Sequence, residues 1–314
     1  ASVSRRFFRM LDSYHISRCR YKQNTLYQSG LNKFHSSNSP TQLGLDPKKK
    51  GGLIMLHRYF LVLFLLGIIL TGNLSFHQPV WAETLVQSIV ETRLMVCLRV
   101  GQAELQRWLP APWQVNPIPG GPLKEGNFFI SFIDSLLVQD AQGKPDIGGI
   151  NRLMVFAVPA KHTQTGEMAF IVTGGLASNP LNIPGAYKNY VQATIRREQT
   201  NKGANIEAGV GDDFWEVRDT RGGIIELRIQ YQRALPSRAK SEMKIYSAVE
   251  PSFFRIYRLE TATDIVKSIP AGIDRVQNYQ LRVAMPELGK LFDGAEQLVG
   301  VAVYPLYLRQ VFLP

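Results

Sequence analysis

The chain has 314 residues, 45% of them hydrophobic, with 36 Lys/Arg against 25 Asp/Glu for a formal net charge of +11. Residues 1–58 carry 11 of the Lys/Arg and 2 of the Asp/Glu, which leaves 25 and 23 for the rest, a net of only +2. The basic footprint of a nucleic-acid binder is therefore excluded for the body of the chain.

Residues 1–54 are rich in Arg, Lys, Ser and Asn and show no apolar periodicity. Such a stretch buries too little apolar surface to offset its ordering entropy, so a disordered leader is expected. It reads either as upstream sequence translated ahead of a start at Met55 or as an Arg- and Ser-rich organelle transit peptide. Residues 55–82 have the parts of a secretory signal: His57 and Arg58 at the start, a 12-residue apolar run over 59–70, then Pro79 and a small residue, Ala82, before Glu83. The run falls short of the ~20 residues that span a bilayer, although a retained anchor is the alternative. The expected location is periplasmic or extracellular, or an organelle lumen if 1–54 is a transit peptide. Membrane contact is expected only through this segment.

A cut after Ala82 leaves one histidine, His162, and one cysteine, Cys97, in the remainder. No disulfide can form within that part, no His/Cys zinc cluster is available, and a Ser-His-Asp triad would have to use His162, in the polar loop PAKHTQTGE. No cofactor and no metal are called for.

Residues 83–314 read as a single β-rich domain. Strand signals fall at 92–100, 127–138, 152–159, 167–175, 190–198, 213–219, 223–234, 241–249, 252–261, 276–285 and 298–312. In the seventh, Ile225, Leu227, Ile229 and Tyr231 share one face while Glu226, Arg228, Gln230 and Gln232 share the other. Thr220-Arg221-Gly222-Gly223 signals a hairpin. Two short helices are expected: 101–109, stopped by Pro110 and Pro112, and 286–292, with Pro at its first position. An all-β fold follows, or a β-rich α+β one: a closed or strongly curled antiparallel β-barrel with two or three short helices, closure removing exposed strand edges. Trp108, Trp113 and Trp215 suit either a core or an apolar pocket. Cys97, mid-strand between Val96 and Leu98, reads as an inert buried thiol. The glycines of 203–211 (GANIEAGVG) lack the spacing and following helix of a phosphate loop.

Residues 97–117, CLRVGQAELQRWLPAPWQVNP, form a strand ending in Arg, a short helix and a Leu-Pro-x-Pro step. This resembles the opening unit of the acetoacetate decarboxylase superfamily. FFISFIDSLL, FIVTGGLASNPLNIPGAYKN and LFDGAEQLVGVAVYPLYLRQVFLP resemble, in order, that family's second long strand, its active-site segment and its terminal strand. The resemblance implies a β-barrel with a largely apolar internal cavity. In working decarboxylases of the family, a cavity lysine forms a Schiff base with a β-keto acid. This requires an amine neutral near pH 7, well below the lysine norm of about 10.4. The family pattern is an acidic residue, a short spacer and Pro-Lys-Lys-Leu-Gly. Aligned on Gly174 and Gly185, the acidic position here is Leu176 and Pro-Lys-Lys becomes Leu181-Asn182-Ile183. Asn182 cannot form a Schiff base, and the nearest amine is Lys188, either a surface residue or a catalytic one swung inward.

Arg99 matches the family's strand-end arginine. It is either a bidentate holder of a carboxylate near the cavity or a strand-end arginine paired with an acid or exposed. Asp134 is a candidate cavity acid, whereas alternation gives Glu226 to solvent. The leading expectation is an exported acetoacetate decarboxylase-like barrel that binds a small carboxylate or hydrophobic metabolite through Arg99, Asn182 and Asp134, without Schiff-base decarboxylation. The second is a carbon–carbon lyase using Lys188, or an acid such as Asp134. The third is a structural or interaction barrel of the cell envelope with a packed interior. The expected partner is a small molecule; the oligomeric state stays open, with a terminal strand such as 298–312 able to pair between subunits of a homo-oligomer.

Overall fold

Alternation in period two governs most of the molecule. A computed structural model describes residues 83–314, apart from 184–186, 188 and 206–208 and the side chains of Ile147 and Asn182. The leader over 1–54, the signal segment over 55–82 and Lys188 lie outside the described residues. Thirteen strands are present among those described: β1 (Thr84–Arg99), β2 (Trp113–Val115), β3 (Phe128–Asp140), β4 (Arg152–His162), β5 (Met168–Ala177), β6 (Tyr190–Lys202) and β7 (Val210–Asp219). They continue with β8 (Ile224–Gln232), β9 (Ser237–Ser247), β10 (Phe254–Ser268), β11 (Ile273–Asp274), β12 (Val276–Ala284) and β13 (Gln297–Leu313).

Every strand expected from the sequence is present, and β2 and β11 are additions. The largest boundary difference is in β1, which begins at Thr84 rather than at 92. Of the helices, 101–109 contains α1 (Gln102–Gln106), and 286–292 forms only a 3-10 turn, Pro286–Leu288. No helix of the described residues is long and apolar enough to cross a membrane.

The sheet curls until its pairings run in a ring: β4–β5–β9–β10–β13–β1–β3 and back to β4. All but one of these pairings are antiparallel; β5 lies parallel to β9, and it is also parallel to β6. This departs from the expected all-antiparallel barrel. One edge of β5 is shared: Phe170–Val172 pairs with β9 and Gly175–Ala177 with β6. Gly175 permits the sharing, because a Cβ there would collide with the Met154 carbonyl and the Tyr190 ring. Both edges of β13 are taken within the chain, by β1 and β10. Intermolecular pairing through 298–312, left open by the sequence, therefore has no free edge to use.

The second layer, β6–β7–β8–β12, covers part of the ring's outer face. Outward side chains of β1 and β3 (Leu94, Val96, Phe128, Ile130, Phe132) join Trp215, Ile225 and Leu227 in one buried cluster. Each such fully buried side chain stabilises the fold by about 1.5–3 kcal/mol. Trp113 and Trp215 are buried in this cluster and Trp108 packs on it, so all three tryptophans are core residues.

A polar clamp joins the layers. The guanidinium of Arg197 on β6 donates to both carboxylate oxygens of Asp213 (3.1 and 2.8 Å), to Thr92 Oγ1 (2.6 Å) and to Asp134 Oδ2 (3.3 Å).

Candidate functional site

The other face of β1 and β3 looks into the ring. Met95, Arg93, Ile89 and Gln87 point inward from β1, opposite Phe129, Ser131, Ile133 and Ser135 of β3, and the ring interior holds a cavity of about 320 Å³. That is near the lower bound for small-molecule sites, so the interior is not packed solid as a purely structural barrel would require. Val155, Phe170, Val172 and Ile245 keep the remaining wall largely apolar.

Charge enters from two neighbouring strands. Alternation keeps Glu91 and Arg93 on one face of β1, and Arg93 donates through Nε (2.8 Å) and Nη2 to Glu91 Oε1. On β13, Arg93 faces Tyr304 and Glu91 faces Tyr307, three residues of β13 against two of β1. Pro305, which cannot donate to the ladder, sits in this bulge. The extra residue turns both Tyr304 and Tyr307 toward the cavity. Arg309, two residues on, reaches Glu91 Oε2 at 3.4 Å.

The result is one fully buried carboxylate, Glu91, between two guanidiniums whose side chains are 13% and 10% exposed. The Arg93 guanidinium lies 3.7 Å from the centre of the Tyr307 ring, and that of Arg309 4.8 Å from Tyr257. The group therefore carries a net +1 in a low-dielectric enclosure. Arg309 Nε, buried, has no hydrogen-bond partner among the described residues. Burial alone would lower the Arg309 pKa, but the Glu91 carboxylate and the Tyr257 phenol outweigh it and hold it above its ordinary value. Burial pushes Tyr187, Tyr190, Tyr304 and Tyr307 above the ordinary phenol value of 10. These phenols stay neutral near pH 7 and can donate hydrogen bonds; Tyr187 already donates to the Ile245 carbonyl at 2.8 Å.

The residues singled out from sequence whose side chains are described fall elsewhere. Arg99 is half-exposed at the end of β1 and paired with Glu125, outside the cavity lining. Asp134 lies on the outward face of β3, since its neighbours Ile133 and Ser135 take the inward one; it pairs with Arg152 (3.1 Å) and Arg197 (3.3 Å). Asn182 ends the 3-10 turn Pro180–Asn182, its side chain outside the described residues. Lys188 is likewise outside them, between the cavity residue Tyr187 and Asn189. Glu226 pairs with Arg282 at the surface. His162 ends β4, where its Nδ1 accepts from the Gln164 and Thr165 N–H groups. Cys97 is buried, and burial pushes its thiol up to about 12. Glu91, Arg93 and Arg309 were not singled out, although alternation from Glu91 to Arg93 and the charge inside the apolar run 298–312 were both visible.

No protein-family model matches the sequence, and no curated protein matches it at a significant level. Among solved structures, the chain is similar to an acetoacetate decarboxylase-like enzyme from Sphingomonas wittichii (13% identity, 76% of this chain and 97% of that one, TM-score 0.47). It is similar also to the enduracididine biosynthesis enzyme MppR (11% identity, 76% and 89%, TM-score 0.43). A third is the acetoacetate decarboxylase of Legionella pneumophila (11% identity, 78% and 93%, TM-score 0.41). Two of these three are an acetoacetate decarboxylase or an acetoacetate decarboxylase-like enzyme, each at low identity.

Proposed function

We propose that the protein binds a small, mostly apolar monocarboxylate inside the ring and does not perform Schiff-base decarboxylation. The observation that carries this reading is Arg309. Its guanidinium is buried, its Nε has no hydrogen-bond partner among the described residues, and it shares the Glu91 carboxylate with Arg93. An unpartnered buried donor costs free energy that a ligand acceptor would recover. A bound carboxylate would also neutralise the surplus positive charge, at about 4 kcal/mol for unit charges 4 Å apart in an effective dielectric near 20. The apolar wall formed by Ile133, Val155 and Val172 suits an alkyl or aryl tail. The described lining supplies no primary amine. The signal-like segment over 55–82 supports export, with the domain working in the periplasm or outside the cell.

Calorimetric titration with hexanoate tests the reading. Wild-type protein is expected to bind it, and Arg309→Met to bind at least about tenfold more weakly, the loss of one charge-assisted hydrogen bond. No binding by the wild type would contradict the proposal. The lyase reading rests on Lys188 adjoining Tyr187, which lines the cavity. Borohydride reduction in the presence of acetoacetate separates the two: no covalent adduct is expected, and an adduct on Lys188 would replace binding with catalysis.

A further inference from the structure

The ring is not equally tight around its circumference. β5 and β9 pair only over Phe170–Val172 and Ile245–Ser247, whereas β9 pairs with β10 along its length from Ser237 to Tyr246. Before Phe170 and Ile245 the two strands part, and an open cleft of about 450 Å³ lies between them. Its walls include Ala160 of β4, Met168 and Ala169 of β5, and Glu242 and Lys244 of β9. Ile118, Phe170 and Met243 line this cleft and also the inner cavity. The partition between outside and inside is therefore a single layer of side chains. One of them is an unbranched methionine, which changes rotamer at little cost.

The lips of the cleft are tied together. Lys244 Nζ of β9 lies 3.2 Å from Glu167 Oε1, beside the start of β5. The Tyr246 hydroxyl of β9 donates to the same carboxylate at 3.1 Å. Both members of the ion pair are partly exposed, so the tie is weak, worth at most a few-fold in an opening equilibrium.

We propose that the seam between β5 and β9 is the ligand portal, with the outer cleft as vestibule, Met243 and Phe170 (with Ile118) as gate, and Glu167 as latch. Opening needs only rotation of Met243 and release of the Glu167 contacts, and it leaves the ring's longer pairings intact. The inference takes the cavity as the ligand site, the reading proposed above.

The test does not depend on any carboxylate. Ser131 of β3, the register partner of Met95, lines the inner cavity, so a cysteine placed there reports reagent that has passed the gate. In the full chain carrying Cys19→Ser, Cys97→Ser and Ser131→Cys, the rate of thiol reaction with 4,4′-dithiodipyridine would be measured under native conditions. Met243→Ala is expected to raise the rate about tenfold, Glu167→Gln roughly two- to fivefold, and Met243→Trp to lower it. Gln87 lines the cavity eight residues along β1 from Met95, the partner of Ser131; Gln87→Ala should leave the rate unchanged. An unchanged rate in Met243→Ala and Glu167→Gln, or faster labelling of Gln87→Ala alone or of every variant alike, would overturn the proposal. Failure of hexanoate to bind would instead count against the proposed function and leave the labelling result interpretable.

Discussion

At the β7–β8 turn a single carboxylate organises the backbone. Asp219 Oδ1 accepts the N–H groups of Arg221 (2.8 Å) and Gly223 (2.7 Å), and Oδ2 lies 3.2 Å from the Arg221 guanidinium. Gly222 adopts φ 93°, which a residue with a Cβ rarely does. Burial would raise the Asp219 pKa, but these donors outweigh it and hold the carboxyl below its ordinary value of 3.8. A depressed folded-state pKa contributes stability that is present above the unfolded value and lost as pH falls through the folded one. Asp219→Asn is therefore expected to be about 1 kcal/mol less stable than wild type at pH 7 in urea titrations. The gap should shrink below about pH 4, and a constant gap down to pH 3 would contradict this account. The turn itself was legible, because Thr220-Arg221-Gly222-Gly223 states its chemistry locally. The cavity charges were not. The apolar run that marks β1 begins at 92, one residue past Glu91, and period-two counting puts Tyr304 and Tyr307 on opposite faces. Only the bulge at Pro305, a property of two strands together, brings them to one side.

Strand by strand, the sequence predicted alternation well and pairing less well. A face shows in one strand, whereas the parallel junctions of β5, with the next strand β6 and with the distant β9, leave no local mark beyond Gly174-Gly175. The joint between layers is equally non-local. Arg197, 6% exposed, meets the fully buried carboxylate of Asp213 on the neighbouring strand and Asp134 on the ring. Asp134 was expected to look inward because it follows an apolar run. That run alternates between two buried faces, one lining the cavity and one meeting the second layer, so hydrophobicity alone could not choose. Arg197→Met should cost about 3–5 kcal/mol, since it strands the buried Asp213 charge. Adding Asp213→Leu should restore most of that loss, as apolar replacements of buried ion pairs commonly do. Chemical denaturation of the two variants checks this, and a double variant no more stable than the single one would show that the clamp stabilises by more than charge pairing.

For the molecule as a whole, the sequence indicated an all-β fold and a barrel-like enclosure, and the curled ring of strands bears that out. It also separated the basic first 58 residues from a nearly neutral remainder. That near-neutrality hides a local imbalance, because two arginines and one glutamate are buried together where solvent cannot screen them. Composition averages over such a site, and only the closure of the ring reveals it. The proposed function requires that this enclosure select for negative charge. Comparing hexanoate with hexanamide, its neutral isostere, by calorimetry on wild type and Arg309→Met tests it most directly. Wild type is expected to bind hexanoate at least about tenfold more tightly than hexanamide, with Arg309→Met largely erasing the difference. Equal binding of the two by wild type, or a preference that survives in Arg309→Met, would contradict it.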